Sequence, residues 1–297
     1  MQQLFRLIAA AWLVLIAGAA FSAPAVSLPN SEQWDLRASG SGREYRVFVA
    51  WPVRPAPPSG YRVLYVMDGN AMFFTAVEAV RASERRPDSK PDALTVVVGV
   101  GYPAGVNVNV ARTLDLTFPG NEPRLRAPGG GADAFLDFLQ KDVSARLAKR
   151  FTIDARHQSI FGHSFGGLFV LHTLATRPSA FHTYIAASPS IWYAGEAIKQ
   201  QLAALGGKRE GGAMVRVLLT AGEYEQVLSP AARRRPDAER ADADLKSRAQ
   251  VDNGRQVAAT LNTFPGIEAE FVEFPGEDHG SVIPAALGRG VRFMLGD

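Results

Sequence analysis

The segment from Ser159 to Val170 constrains the chain most. A short apolar strand runs into Gly162-His163-Ser164-Phe165-Gly166, a G-x-S-x-G pentapeptide, and a helical apolar run from Leu168 to Leu174 follows at once. Strand, sharp turn and helix in that order form the nucleophile elbow of an α/β fold. The turn leaves room only for small residues two places either side of the serine. The Ser164 hydroxyl then projects above the edge of a sheet, and the start of the next helix offers free N–H groups to an anion. With 28 glycines in the chain the pentapeptide alone is a modest signal, and its flanks supply the specificity.

The 297 residues are 47% hydrophobic and 21% charged, an ordinary globular balance. The chain has no cysteine, which excludes disulfides, thiolate metal sites, a thiol nucleophile and a lipoprotein anchor. A net charge of +3 is too small to argue for nucleic acid. Met1 to Ala25 reads as a signal peptide. Arg6 supplies the positive start, Leu7 to Ala20 the apolar core, and Ala20-Phe21-Ser22-Ala23-Pro24-Ala25 the small-residue exit. Cleavage after Ser22 or after Ala25 satisfies the small-x-small rule. The apolar run is shorter than the ~20 residues of a span, which disfavours an uncleaved anchor. Export to the periplasm, with no stable membrane anchor after processing, is the expectation.

Residues 26–297 read as a single α/β-hydrolase domain, a mainly parallel sheet with helices on both faces. Expected strands are Glu32–Arg37, Glu44–Trp51, Arg62–Met67, Leu94–Val100, the elbow strand, His182–Ala187, Val215–Thr220 and Glu268–Phe274. Several are near-continuous apolar runs, the pattern of parallel strands buried on both faces. Helices are expected from about Ala71 to Arg81, Asp133 to Arg150, Gly195 to Leu205 and Val282 to Leu295. Residues 101–131 lack periodicity and read as a long irregular loop. Residues 230–256 read as a solvated helix or mobile arm. Their Arg233-Arg234-Arg235 run reads as a solvated face, because acidic residues follow it.

A serine nucleophile needs a base, and the base needs an orienting group. In this fold the chain order is serine, acid, histidine. Of the five histidines only His279 follows a later strand, in the polar turn Pro275-Gly276-Glu277-Asp278-His279-Gly280-Ser281. His163 reads as a packing or hydrogen-bonding neighbour; His157, His172 and His182 read as scaffold. The acid belongs just past Val215–Thr220. Glu225 is preferred, Glu223 remains open, and so does a Ser–His dyad without a carboxylate. Asp278 is disfavoured because it adjoins the base. The two oxyanion donors are expected to be the backbone N–H of Phe165 and one from the loop after Arg62–Met67, Gly69 or Asn70, with Asn70 preferred.

Six segments together resemble the putative-esterase family of α/β-hydrolases, which includes esterase D-like enzymes and trilactone siderophore esterases. They are Tyr65 to Asn70, Arg112 to Thr117, Gly162 to Gly167, Ser188 to Trp192, Gly222 to Glu225 and Asp278 to Ser281. The likeness runs from about residue 32 to the C-terminus and, with an export signal, is nearest to periplasmic enterobactin-type esterases. It implies hydrolysis of the ester bonds of a catecholate trilactone with release of its iron. It places the nucleophile and base on Ser164 and His279, and a substrate-site arginine on Arg112. Phe118 before Pro119 departs from the family, which often runs from Thr straight to Pro. Arg112 is expected either to meet substrate charge or to pair with Asp115 and pin its loop. Trp192 and Tyr193 are expected to wall an aromatic acyl group. No cofactor is called for, no metal-ligand cluster is visible, and iron would arrive on the substrate. The partner is a small ester, possibly a ferric siderophore. A broad carboxylesterase or acyltransferase is the alternative enzyme, and a non-catalytic exported binding protein the alternative class.

Overall fold

A computed structural model describes residues 26–206 and 213–296. The leader and its cleavage sites lie outside the described residues. Eight strands form one sheet in the order β1-β2-β4-β3-β5-β6-β7-β8. They are β1 Ser31–Arg37, β2 Glu44–Ala50, β3 Tyr61–Val66, β4 Thr95–Gly101, β5 Ile153–His163, β6 Thr183–Ala187, β7 Val215–Gly222 and β8 Ile267–Phe274. From β4 to β8 every neighbouring pair is parallel, while β2 runs antiparallel to both β1 and β4. β4 and β6 are buried at every position, as their unbroken apolar sequences require. β2 alternates instead, burying Tyr45, Val47 and Val49 on one face.

Helix α1, Gly69–Glu84, follows β3, and α2, Val108–Leu116, follows β4. Next, α3, Ala132–Phe138, continues through a π turn at Leu139–Val143 into α4, Ser144–Arg150. The helix expected over 133–150 is therefore one rod with a π bulge. Helix α5, Phe165–Thr176, springs from the elbow, and α6, Ala197–Gly206, lies between β6 and β7. Then come α7, Ala238–Arg248, α8, Gln250–Leu261, and α9, Val282–Leu295.

The sheet carries a separate apolar cluster on each face. One includes Phe135, Leu168, Leu202 and Leu261 from α3, α5, α6 and α8; the other includes Phe73, Val77, Leu287 and Val291 from α1 and α9. No helix among the described residues is long and apolar enough to cross a membrane.

Two segments differ from the sequence expectation. Within 101–131 the chain forms α2, capped by the Asn107 side chain accepting the Val110 N–H at 3.3 Å. Its buried side is Ala111, Thr113, Asp115 and Leu116, half of it polar, so no apolar period marks it. In 230–256, α7 buries no residue, as a solvated helix should, whereas α8 packs Val251, Val257 and Ala258 inward.

Candidate active site

β5 ends at His163, and Ser164 follows in a strained positive-φ conformation, φ 60° and ψ −117°. The turn is closed by Ser164 N–H donating to Ala187 O at 3.0 Å, while Ser164 O accepts from Leu168 and Ser190. A Cβ on Gly162 would lie 2.2 Å from Gly166 O, so glycine is required there. Gly166 itself is less confined, its Cβ position lying 3.4 Å from Met67 Cβ. Gly167 is more confined, since a Cβ there would lie 2.9 Å from both Ala187 O and Pro189 Cα. Ser164 Oγ is 3.4 Å from Ser190 Oγ.

The turn after β7 settles which glutamate faces the histidine. Glu225 Oε2 accepts from His279 Nδ1 at 2.6 Å. Its other oxygen takes the Ser188 hydroxyl at 2.6 Å and the Gly222 N–H at 2.7 Å. Burial acts to raise the Glu225 pKa, but the bond and charge of His279, then Ser188 and Gly222, outweigh it and hold the carboxyl below its usual range. Glu223, two residues earlier, points to the loop instead and accepts the Gly276 N–H at 2.8 Å. With Tyr224 N–H on Glu277 O at 2.9 Å, it ties the histidine turn to the end of β7. Asp278 is spent on the N–H groups of Gly280 and Ser281, both 2.8 Å away.

His279 stays 49% exposed at its side chain, with one ring nitrogen held by a buried carboxylate. Its ring lies 4.4 Å from that of His163, centroid to centroid, so the imidazole stands beside the elbow. Burial, and then the nearby His279, push His163 down to about 4, so it is neutral near pH 7. The other three histidines lie elsewhere. His157 pairs with Asp154, His172 bridges Gln201 and Asp133, and His182 meets Thr183.

Two helices begin at this edge. Phe165 is the first residue of α5 and Asn70 the second of α1, positions whose N–H groups have no partner within their own helix. The Asn70 side chain is engaged apart from that, clasping the main chain of Tyr102 with bonds of 2.8 and 3.0 Å.

The expected binding residues divide. Trp192 is half-buried, with the guanidinium of Arg124 5.2 Å and that of Arg248 5.6 Å from its ring centre, and Phe165 6.0 Å away. Tyr193 is fully buried and donates its hydroxyl to Phe118 O at 2.9 Å, so it backs the site and does not wall it. The rings of Phe118 and Phe165 pack edge-on against Tyr193 and hold it inside. Arg112 pairs with neither a free space nor Asp115. Its Nε and Nη2 close on the two oxygens of Asp68 at 2.8 and 2.9 Å. Asp115 instead meets Arg43 at 2.5 Å and Tyr45 at 3.2 Å.

Sequence reasoning overlooked Ser188, Asp68, Arg124 and Arg248. Ser188 carried a signal, since Ser188-Pro189-Ser190 closes the strand beside the elbow. The two arginines carried none, coming from segments 124 residues apart. Among the described residues no group of three or more acidic, histidine or cysteine side chains is placed to hold a metal ion.

The family model described as Putative esterase matches residues 38–270. The chain belongs to this esterase family. A relative in Bacillus subtilis, the ferri-bacillibactin esterase BesA, is 37% identical, with 91% of both chains covered. The siderophore enterobactin esterase of Emericella nidulans is 32% identical over 89% of this chain and 93% of its own. Among solved structures, the siderophore hydrolase EstB of Aspergillus nidulans superposes with a TM-score of 0.81 at 33% identity, covering 91% of this chain and 97% of that one. The parallel sheet and its helices thus share a fold with a solved siderophore hydrolase.

Proposed function

We propose that the chain is an exported serine esterase that opens the ester bonds of a catecholate trilactone siderophore and so frees its iron. The observation that carries the esterase part is the buried Glu225 carboxylate on His279 Nδ1, 2.6 Å away, beside a strained Ser164. The substrate class rests on the relatives, whose names include ferri-bacillibactin and enterobactin esterases.

In this reading His279 Nε2 takes the Ser164 proton as Oγ attacks the ester carbonyl. Glu225 holds the ring and stabilises the imidazolium. The tetrahedral oxyanion falls to the N–H groups of Phe165 and Asn70 at two helix starts, where the backbone dipoles favour negative charge. Collapse breaks the ester C–O bond, and His279 returns its proton to the leaving hydroxyl. In a trilactone that hydroxyl belongs to the same ring, so the first acyl-enzyme carries the opened chain. Water activated by His279 then releases a linear trimer. Trp192, with the guanidinium groups of Arg124 and Arg248 at 5.2 and 5.6 Å from its ring centre, joins aromatic surface to positive charge, which suits an electron-rich, anionic catecholate. Iron is cargo of the substrate.

The test is chromatography of products from ferric and iron-free enterobactin beside a panel of simple esters. Faster turnover of the trilactone supports the reading. Turnover of simple esters with the trilactone untouched moves the assignment to a broad carboxylesterase.

A further inference from the structure

Asp68 ends the loop after β3 in the left-handed region, at φ 54° and ψ 43°, immediately before α1. Its carbonyl accepts the N–H groups of Ala71 and Met72, at 2.9 and 3.1 Å, and so opens that helix beside Asn70. Its side chain is only 9% exposed. It reaches across the elbow, with Oδ2 3.5 Å from where a Cβ on Gly166 would stand. Gly166 is the second residue of α5, directly after Phe165. One buried carboxylate therefore lies against both helix starts that would receive the oxyanion. Unbalanced, its charge would oppose the charge that develops there, in a region where low dielectric magnifies the effect.

Arg112 supplies the balance. Its fork is bidentate on Asp68, it is 21% exposed, and its guanidinium sits 5.6 Å from the centre of the Phe165 ring. Burial alone would lower its pKa, yet Asp68 outweighs burial and raises it, so the arginine stays charged.

We propose that Arg112 acts on the reaction through Asp68, neutralising a carboxylate that shapes the oxyanion turn, and is a positioning residue for that turn. This rests on the serine-esterase reading above, and Ser164→Ala serves as its separate control. Retained activity in that control refutes the active site itself.

The experiment compares Arg112→Gln, Arg112→Lys, Asp68→Asn and the Arg112→Gln/Asp68→Asn pair on p-nitrophenyl acetate and on iron-free enterobactin. Arg112→Gln should lower kcat about 10-fold or more on both esters with KM within about 3-fold, the pattern of lost transition-state stabilisation. Arg112→Lys should keep most of kcat. Adding Asp68→Asn to Arg112→Gln should return kcat to within about 3-fold of wild type, a coupling that a loop merely pinned by the pair would not show. Asp68→Asn alone should fold, since asparagine tolerates the left-handed turn, and it completes the double-mutant cycle from which the coupling is read. The idea is overturned if Arg112→Gln raises only the KM for enterobactin, which would place the arginine on substrate, or if its lost kcat is not restored by Asp68→Asn. Should Arg112→Gln not fold, the double variant, which buries no lone charge, is assayed against wild type. A kcat there more than about 10-fold low is equally fatal.

Discussion

Ser164, Glu225 and His279 each make a different demand at the residue scale. The serine hydroxyl is a weak nucleophile held in a strained turn. Ser164→Ala should leave the thermal melt unchanged while kcat falls by several orders of magnitude, about 10⁶ for a triad serine in other hydrolases. Near-full activity in that variant would end the acyl-enzyme reading. In the proposed mechanism Glu225 only orients and stabilises the imidazole, so Glu225→Gln should cost less than His279→Ala, up to about 10⁴. Glu223→Gln should be nearly silent on kcat, because its carboxylate reaches Gly276 and not the ring. The reverse ranking, measured as kcat on p-nitrophenyl acetate, would hand the role to Glu223. The depressed Glu225 pKa also has a sign. Its contribution to stability is present above the unfolded carboxylate value, near ~4.3, and is lost as pH falls through the lower folded value.

At the scale of elements, α2 and the turn after β6 frame the site from the two sides. Trp192 lies on that turn close to two arginines from distant segments. Trp192→Ala should raise KM for a catecholate trilactone by about 10-fold, the worth of one aromatic and cation–π contact, while sparing p-nitrophenyl acetate. Equal losses on both esters would remove Trp192 from substrate recognition. Helix α2 is fastened to β2 by buried Asp115, which Arg43 and Tyr45 reach. Burial lifts the Asp115 pKa to about 6, against the pull of Arg43 and the hydroxyl bonds. A carboxyl raised in the folded state stabilises below its unfolded pKa, and that stability is lost as pH rises through about 6. The shift from 3.8 to about 6 corresponds to something on the order of 3 kcal/mol. Asp115→Asn should remove this slope. Denaturant unfolding of both proteins at pH 4 and pH 7 reads it, and parallel pH profiles would contradict it.

Over the whole molecule, the six parallel strands deliver the elbow, the acid turn and the histidine turn to one edge of the sheet. There the start of α5 and the start of α1 also point. That edge is where open α/β sheets bind ligands, because the loops at the strand C-termini gather there. The proposed export concerns the same whole. The mature chain should begin at Ala23 or Val26 and fractionate with periplasmic markers. N-terminal sequencing of mature protein that returns Met1 would refute it.

The sheet and the elbow turn were legible in the sequence because their signals are local. Buried parallel strands are unbroken apolar runs, the elbow is a strand, a pentapeptide and a helix in succession, and chain order alone selects His279. What stayed illegible depends on direction and on distant partners. Glu223 and Glu225 stand two residues apart, and only the short helical turn they share decides which meets the ring. Trp192 and Tyr193 are neighbours, and only the packing of Phe118 and Phe165 draws the tyrosine inside. Helix α2 hides because polar Thr113 and Asp115 fill half its buried side, Thr113 bonded back to Asn109 O and Asp115 met by Arg43 and Tyr45, 72 and 70 positions away. Arg112 finds Asp68 across 44 positions of sequence, a pairing that exists only once β3 and β4 lie side by side. Periodicity records which residues leave water. Which carboxylate an arginine or a histidine meets is decided by the fold that carries them together.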